Sequence, residues 1–426
     1  MRSRFVGTMG IVAALALAGC QSGEQFGSTG GGSGGEPQGP EGGPTIYASL
    51  PLKGPEGKPN VQSEAILNAM KLAFKESGGK AGQTAVRFEP LDNSTREDGG
   101  WDAGQTILNG QQVTDNDKAL MYLGDFDSGA AAVSIPIMNQ AGIPQIGFST
   151  TAPGLTKDET GADKNEPKKY NPTGDSTFVR IVPRDTLQGS VAAQLMQNQG
   201  CTQIALLNDK EVYGAQLAEV LEDEINTRGL DLISSETIDA NAADYQDLAD
   251  KLGEQSVDCV FYAGVPQNNA VQLFDDLAAG LSGAKLFGGD ALATTAFMDS
   301  ASDGIEETTA ARVRLTAPKL RPEDYPPAGQ KFFKDYMTEY GEEAKGPYPI
   351  YGYEAMKLAL ETIGQAGANP NKQTVRERLA QTQNRSSALG VYNIDKGGDT
   401  SLDDYAAYTI QEGQLTFGEQ IEPLKE

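Results

Sequence analysis

Two short apolar runs in this chain end on small hydroxyl-bearing residues. "YLG" leads into Asp127-Ser128-Gly129, and "PQIGF" into Ser149-Thr150-Thr151. Hydroxyl donors beside the free backbone amides of a helix start suit a carboxylate, and little side-chain bulk lets a ligand approach the main chain. Farther along, Tyr213, Tyr262 and Asp290 each stand at or just past the carboxyl end of a predicted strand. An aspartate there can pair with an ammonium, and such a pair counts for more in a dry cleft than on a surface. Each feature also has a plain structural reading: Ser128 as a helix cap, Ser149-Thr150-Thr151 as a turn, Tyr213 as a packing residue, Asp290 as the cap of "ALATTAFM". Two hydroxyl-bearing ends on neighbouring strands favour a binding site. Catalysis has less support. The chain has no histidine, which excludes Ser-His and Cys-His pairs and histidine metal ligation. Asp125, Asp127 and Asp290 could form the acid pair of a carboxylate-dependent hydrolase, but no nucleophile–base constellation accompanies them. The expectation is a binding protein, not an enzyme, with no cofactor.

The elements that would position these residues alternate. From residue 45, strand "TIYASLPL" is followed by a helix from about Val61 to Ser77, with one apolar face and a stop at Gly78-Gly79. Then come strand "TAVRFEPLD", a helix from Trp101 to Val113, strand "ALMYLG", a helix from Ser128 to Gln140, and strand "IPQIGFS". These are continuous apolar runs, as expected of parallel strands covered by helices on both faces. A polar insert, residues 157–176, reads as a surface loop. The alternation then restarts with "TFVRIVP", "QIALLND", "LISSETI", "CVFYAG" and "AKLFGGDAL", separated by helical segments. Two sheets in succession are better explained by two lobes than by one large sheet, and the pattern alone predicts two consecutive domains. Helices around 328–340, 351–365 and 374–380 follow. The chain closes on "VYNID" and a hairpin turning at Glu412-Gly413.

The balance of 34 basic against 59 acidic residues, a net charge of −25, argues against nucleic acid, which needs a basic stripe. The acidic loops 92–98 and 395–404 lack the ligand spacing of a calcium loop, so no metal is expected. At the N-terminus, Arg2 and Arg4 precede an apolar stretch from Phe5 to Ala18, too short for the ~20 residues of a spanning helix. It ends in Leu17-Ala18-Gly19-Cys20 and resembles the bacterial lipoprotein signal, which implies cleavage after residue 19 and a lipid on Cys20. Loss of the two arginines takes −25 to −27. Residues 20–44 then form the lipidated cysteine and a Gly/Ser/Pro-rich flexible tether, with a span of about 25–30 Å. Cys201 and Cys259 each open a predicted strand, and an exported chain permits a bridge between them.

The ordered set "LPLKGP", "GDFDSGAAAVSIPIMNQAGIPQIGFSTTAPGLT", "FVRIVPRDTLQG", "IALLNDKEVYGAQLAEVLEDEI", "VFYAGVPQNNAVQLFDDLAAG" and "YPIYGYEAMKLALETI" resembles the type I periplasmic binding fold. More narrowly, it is similar to the leucine/isoleucine/valine-binding branch that serves ABC importers. The resemblance spans residues 45–420. It implies an α/β fold of two Rossmann-like lobes, parallel sheets flanked by helices, joined by three interlobe crossovers. Those would fall near 182–185, 313–318 and 391–396, giving one lobe of 45–182 plus 316–392 and another of 183–315 plus 393–421. It implies a monomer outside the cytoplasm that hands a small amino acid or amide-like ligand to a membrane ABC permease. A lipoprotein sensor on the same fold is the alternative. Residue by residue, the resemblance assigns Ser128 and Thr151, with the backbone of Ser149, to the ligand's carboxylate and amine. It assigns Tyr213 and Tyr262 to the opposite face and Asp290 to the ammonium, where branched-chain binders usually carry glutamate. Asp127 adds a polar contact, and Pro59 stands about where those binders place an aromatic residue, so a polar ligand fits as well as an apolar one.

Overall fold

The computed structural model describes residues 32–33, 37–54, 57–94 and 99–421. The expected signal peptide, Cys20 and most of the tether lie outside the described residues. The first sheet begins with β1 (Gly32–Ser33) and β2 (Thr45–Leu50), followed by α1 (Val61–Glu76), a small hairpin β3 (Lys80–Ala81) and β4 (Thr84–Ala85), and β5 (Arg87–Asp92). Next come α2 (Ala103–Asp115), β6 (Ala119–Leu123), α3 (Ser128–Ala141), β7 (Gln145–Gly147) and β8 (Phe178–Arg180). The strand order is β1-β5-β2-β6-β7-β8, with only β1 antiparallel. Every residue of β2 and of β6 is buried, as the continuous apolar runs require of strands with helices on both faces.

The second sheet follows α4 (Asp185–Asn198) and contains β9 (Gln203–Asn208), β10 (Asp231–Thr237), β11 (Cys259–Ala263), β12 (Lys285–Gly288) and β13 (Val313–Ala317). Helices α5 (Val212–Thr227), α6 (Gln246–Glu254) and α7 (Ala270–Gly280) cross between them, and the short α8 (Thr295–Met298) and α9 (Glu307–Ala310) precede β13. Side chains alternate across this sheet with period two. Ala205, Leu207, Val260 and Tyr262 enter one core; Ile204, Leu206, Cys259 and Phe261 enter the other. The edge strand β10 alternates exposed with half-buried positions instead. Cys201 and Cys259, on neighbouring strand starts, are joined by a disulfide with Cα atoms 5.7 Å apart.

After β13 the chain returns to the first lobe through α10 (Pro327–Tyr340), α11 (Pro349–Gln365) and α12 (Lys372–Leu379), whose Phe332, Met356 and Val375 share a core with Ile46, Phe88 and Leu123. A two-stranded ribbon, β14 (Arg385–Ser386) with β15 (Val391–Tyr392), precedes the final hairpin of β16 (Ala406–Gln411) and β17 (Gln414–Gln420), which extends the second sheet antiparallel to β13. The lobes therefore interleave and are not consecutive.

Three expectations need correction. Thr316 and Ala317 pair with β16, so the return to the first lobe falls after residue 317 and not at 316. Ile394 and Leu402 pack in the first lobe's core, which places the last crossing between Leu402 and β16, not at 391–396. The segment read as tether is in part an edge strand. Gly32 and Ser33 pair with Asp92 and Leu91, and Gln38 exchanges two 2.8 Å backbone hydrogen bonds with Phe88. Glycine-rich composition does not forbid pairing where β5 offers an open edge. The 157–176 insert is a run of turns pinned from within. Its buried Glu166 accepts hydrogen bonds from Tyr170 Oη at 2.5 Å and from Gln216 Nε2, on α5, at 2.9 Å.

Candidate ligand-binding site

The carboxyl ends of both sheets meet at a crevice, where crossover helices start and ligands of open parallel sheets bind. From the first lobe, Asp127 is the N-cap of α3 and Ser128 its first residue. Ser128 does not cap the helix. Its Oγ accepts the Ala152 amide at 3.3 Å, tying the end of β6 to the turn after β7. Ser149 Oγ donates to the Phe126 carbonyl at 2.7 Å. From the second lobe, Asp290 opens a short 3-10 turn after β12 and caps nothing, since Thr294 caps α8. Its Oδ1 instead accepts from Tyr213 Oη at 2.7 Å and Gln188 Nε2 at 3.1 Å, and its Oδ2 accepts from Tyr348 Oη. Tyr348 belongs to the first lobe and Asp290 to the second, so this bond spans the crevice.

Ser128, Ser149 and Thr151 on one side and Tyr213 and Asp290 on the other line a single cavity with Asp127. Its free volume is about 30 Å³, room for roughly two waters. Two residues expected here are elsewhere. Thr150 is fully buried and does not line the cavity; its carbonyl accepts Arg180 Nη1 at 2.9 Å. Tyr262 lies within β11, on the face that packs against α7, with its ring 6.1 Å from that of Phe274. The strand's alternation turns it away from the cleft. Pro59 is exposed and outside the lining.

The aromatic surface comes from residues that the strand-end pattern does not mark. Trp101, Phe126 and Tyr348 line the cavity, the last two in edge-to-face contact at 5.8 Å. Two glycines make this packing possible. A Cβ on Gly129 would stand 2.4 Å from the Trp101 ring, and one on Gly289 would stand 2.2 Å from the Tyr213 hydroxyl. Glu211, the N-cap of α5, also faces the cavity. Gln188 was not foreseen either. It donates to Asp185 and Asp290 and accepts from the Asp290 amide and Thr316.

Burial shifts the acidic groups at and behind the site upward. Burial, then repulsion from Glu211, Asp125 and Asp209, raises the Asp127 carboxyl to about 8. Burial raises Asp125 to about 6, although hydrogen bonds from Ser134, Ser49, Tyr122 and Asn93 pull it down. Burial raises Asp290 against the pull of its tyrosine and glutamine donors, and raises Asp185, which also feels Asp290. Behind the hydroxyl turn, Arg180 binds the Thr150 and Ala152 carbonyls and pairs with Asp399 at 2.8 Å.

The model of one family, "Periplasmic binding protein", matches residues 48–414. The chain is a member of the periplasmic binding protein family. Among its relatives is the Leu/Ile/Val-binding protein BraC3 of Rhizobium johnstonii, 23% identical over 88% of this chain and 94% of the relative. Another is an amino acid binding protein of Pseudomonas aeruginosa, 25% identical over 71% of this chain and 75% of the relative. Solved structures share the fold. The leucine binding protein LivK of Thermotoga maritima superposes with a TM-score of 0.75 at 18% identity, covering 89% of this chain and 99% of that one. A solute binding protein of R. palustris in complex with benzoate gives 0.72 at 16%, covering 89% and 97%. The names of this periplasmic binding protein's relatives and fold neighbours differ in ligand, and its own cavity must be read from its own residues.

Proposed function

We propose that this periplasmic binding protein is the extracytoplasmic solute-capturing component of an ABC importer, anchored by a lipid on Cys20, and that it takes a small amino acid or amide-like compound between its lobes. The observation that carries the reading is the convergence of Ser128, Ser149 and Thr151 from one lobe with Tyr213 and Asp290 from the other on one cavity. A molecule the size of an amino acid enters so small a space only when the lobes part, so capture is a hinge motion, and a permease would recognise the closed shape. Side chains already held in place by the fold, as Ser128 is by the Ala152 amide, keep the ordering cost of binding low.

Mass spectrometry of small molecules released from denatured, freshly purified protein identifies the ligand class, and a thermal-shift panel of amino acids and amides checks it. Ser128→Ala combined with Thr151→Ala is expected to weaken binding of the identified ligand by about 3–6 kcal/mol, at ~1.5–3 kcal/mol per hydrogen bond to a charged group. Unchanged calorimetric affinity in that double variant would remove this site from the proposal.

A further inference from the structure

Outside the ligand cavity, a second set of contacts joins the lobes. Gln216 stands on α5 of the second lobe and is 4% exposed. Its carboxamide meets the segment that follows β7 in the first lobe, and both of its ends are used. Oε1 accepts the Gly154 amide and Nε2 donates to Glu166 Oε2, each at 2.9 Å. Around this two-point contact the lobes touch directly. A Cβ on Gly154 would stand 1.7 Å from Glu166 Oε2 and 3.0 Å from Gln216 Nε2. One on Gly161 would stand 2.8 Å from both the Gln216 carbonyl and Val220 Cγ2. Val212, the first residue of α5, packs on the first-lobe cluster of Ala131, Ile135, Leu155 and Tyr170.

The first lobe's half of this contact is held in place locally. Glu166 Oε2 also accepts the Asp163 amide at 2.8 Å, and Oε1 meets Tyr170 Oη at 2.5 Å and Lys169 Nζ at 2.7 Å. Burial alone would raise this carboxyl. Its Lys169, Tyr170 and Asp163 donors outweigh burial and hold it below its ordinary value, so it meets Gln216 as a carboxylate. Those three donors lie within residues 163–170, whereas Gln216 comes from the other lobe. Parting the lobes would leave Glu166 its local donors and take away Gln216, along with the acceptor of the Gly154 amide. Gly154, Glu166 and Gln216 are not part of the ligand cavity's lining. Their contact therefore favours closure whether or not the cleft is occupied, unlike the bond between Tyr348 and Asp290, both of which line the cavity.

We infer that Gln216, received by Gly154 and Glu166, is an interlobe latch that sets the balance between closed and open forms of the empty protein. The inference rests on the hinge motion proposed above and adds a closing contact that no solute in the cavity touches. Binding then starts from a protein already biased towards closure, so less of the closing free energy has to come from the solute. The glycine at 154 follows from the same geometry, since a side chain there would take the place of the Glu166 carboxylate.

The test uses the full chain, stripped of small molecules by unfolding and refolding, with no solute added. Single-molecule energy transfer between dyes at Gln111 on α2 and Asp247 on α6, exposed positions of the two lobes, reads the ratio of closed to open molecules. The unsubstituted protein is expected to be mostly closed. Gln216→Ala removes two hydrogen bonds, one of them to a carboxylate, and is expected to lower the ratio at least about tenfold. It leaves Glu166 with its Asp163, Tyr170 and Lys169 partners, so circular dichroism should stay native. Gln216→Glu, which sets a second carboxylate against Glu166, is expected to lower the ratio at least as far. The latch is overturned if the empty, unsubstituted protein is mostly open, or if it moves between two states whose ratio both substitutions leave unchanged. A single closed population in all three proteins would overturn the latch and the hinge motion together. Because no solute is added, an error in the solute assigned to the cleft would not alter these outcomes.

Discussion

Replacing Asp399 with asparagine tests how the hydroxyl turn is held. The Asp399 side chain is 2% exposed. Its Oδ1 accepts from Arg180 Nε and Thr156 Oγ1, both at 2.8 Å, and its Oδ2 meets Arg184 Nη1 at 2.7 Å and Lys157 Nζ at 3.4 Å. Burial alone would raise this carboxyl. The charges of Arg180 and Arg184, the Thr156 hydrogen bond and Lys157 outweigh it and hold the group at about 2. Against an ordinary 3.8, that depression corresponds to about 2 kcal/mol at neutral pH. Asparagine does more than discharge the group, because Arg180, with its side chain fully buried, keeps its charge. Losing one partner of a buried pair costs about 3–5 kcal/mol. The expected loss is therefore about 2–5 kcal/mol, measured by urea unfolding with Trp101, the single tryptophan, as the fluorescent reporter. The contribution of a depressed carboxyl is present above its unfolded value and lost as pH falls through the folded one, so the gap between the two proteins should narrow from pH 4 towards 2. Arg180 also holds the Thr150 and Ala152 carbonyls, so ligand affinity should fall with stability. A loss below about 1 kcal/mol at pH 7, or a gap that widens on acidification, would refute this reasoning.

Removing the Cys201–Cys259 bridge as a double alanine variant should cost about 4 kcal/mol by loop-closure entropy for a separation of 58 residues, read as a lower urea midpoint; an unchanged midpoint contradicts it. Gly129→Ala would drive a Cβ to 2.4 Å from the Trp101 ring, at a cost of about 1–3 kcal/mol. The expected readout is a shifted Trp101 emission together with weaker ligand binding. Carboxyls raised to about 8 at Asp127 and about 6 at Asp125 hold protons that the unfolded chain releases near pH 4. Their contribution is complete below pH 4 and is lost as pH rises towards 8. Asp127→Asn should flatten the fall in ligand-free stability across that window, and a slope indifferent to the substitution would count against a raised Asp127 carboxyl.

Much of the architecture is local and so legible in the residues themselves. Period and run length place β2, β6, α1 and α3 within a few positions, because helix and strand periodicities are properties of neighbouring residues. Strand ends carrying Ser128, Ser149 and Thr151 point to the crevice for the same reason. The resemblance to a two-lobed family, not the periodicity, supplied the interleaving. Tyr262 shows where a strand-end reading fails: it lies inside β11, one residue before the strand's last, Ala263, and the alternation of side chains turns it from cleft to core.

What the sequence by itself determined is the order of elements, the acidic balance, the absence of histidine chemistry and the hydroxyl-rich turns. Tertiary structure alone decided which of these groups meet. Tyr348 reaches Asp290 from the other lobe, Arg180 finds Asp399 across 219 residues of chain, and Trp101 and Glu211 arrive at one cavity from different lobes. The reason is physical. Propensity and periodicity act over a few residues, whereas the charge state and availability of a buried group depend on whatever the fold brings within a few ångströms of it.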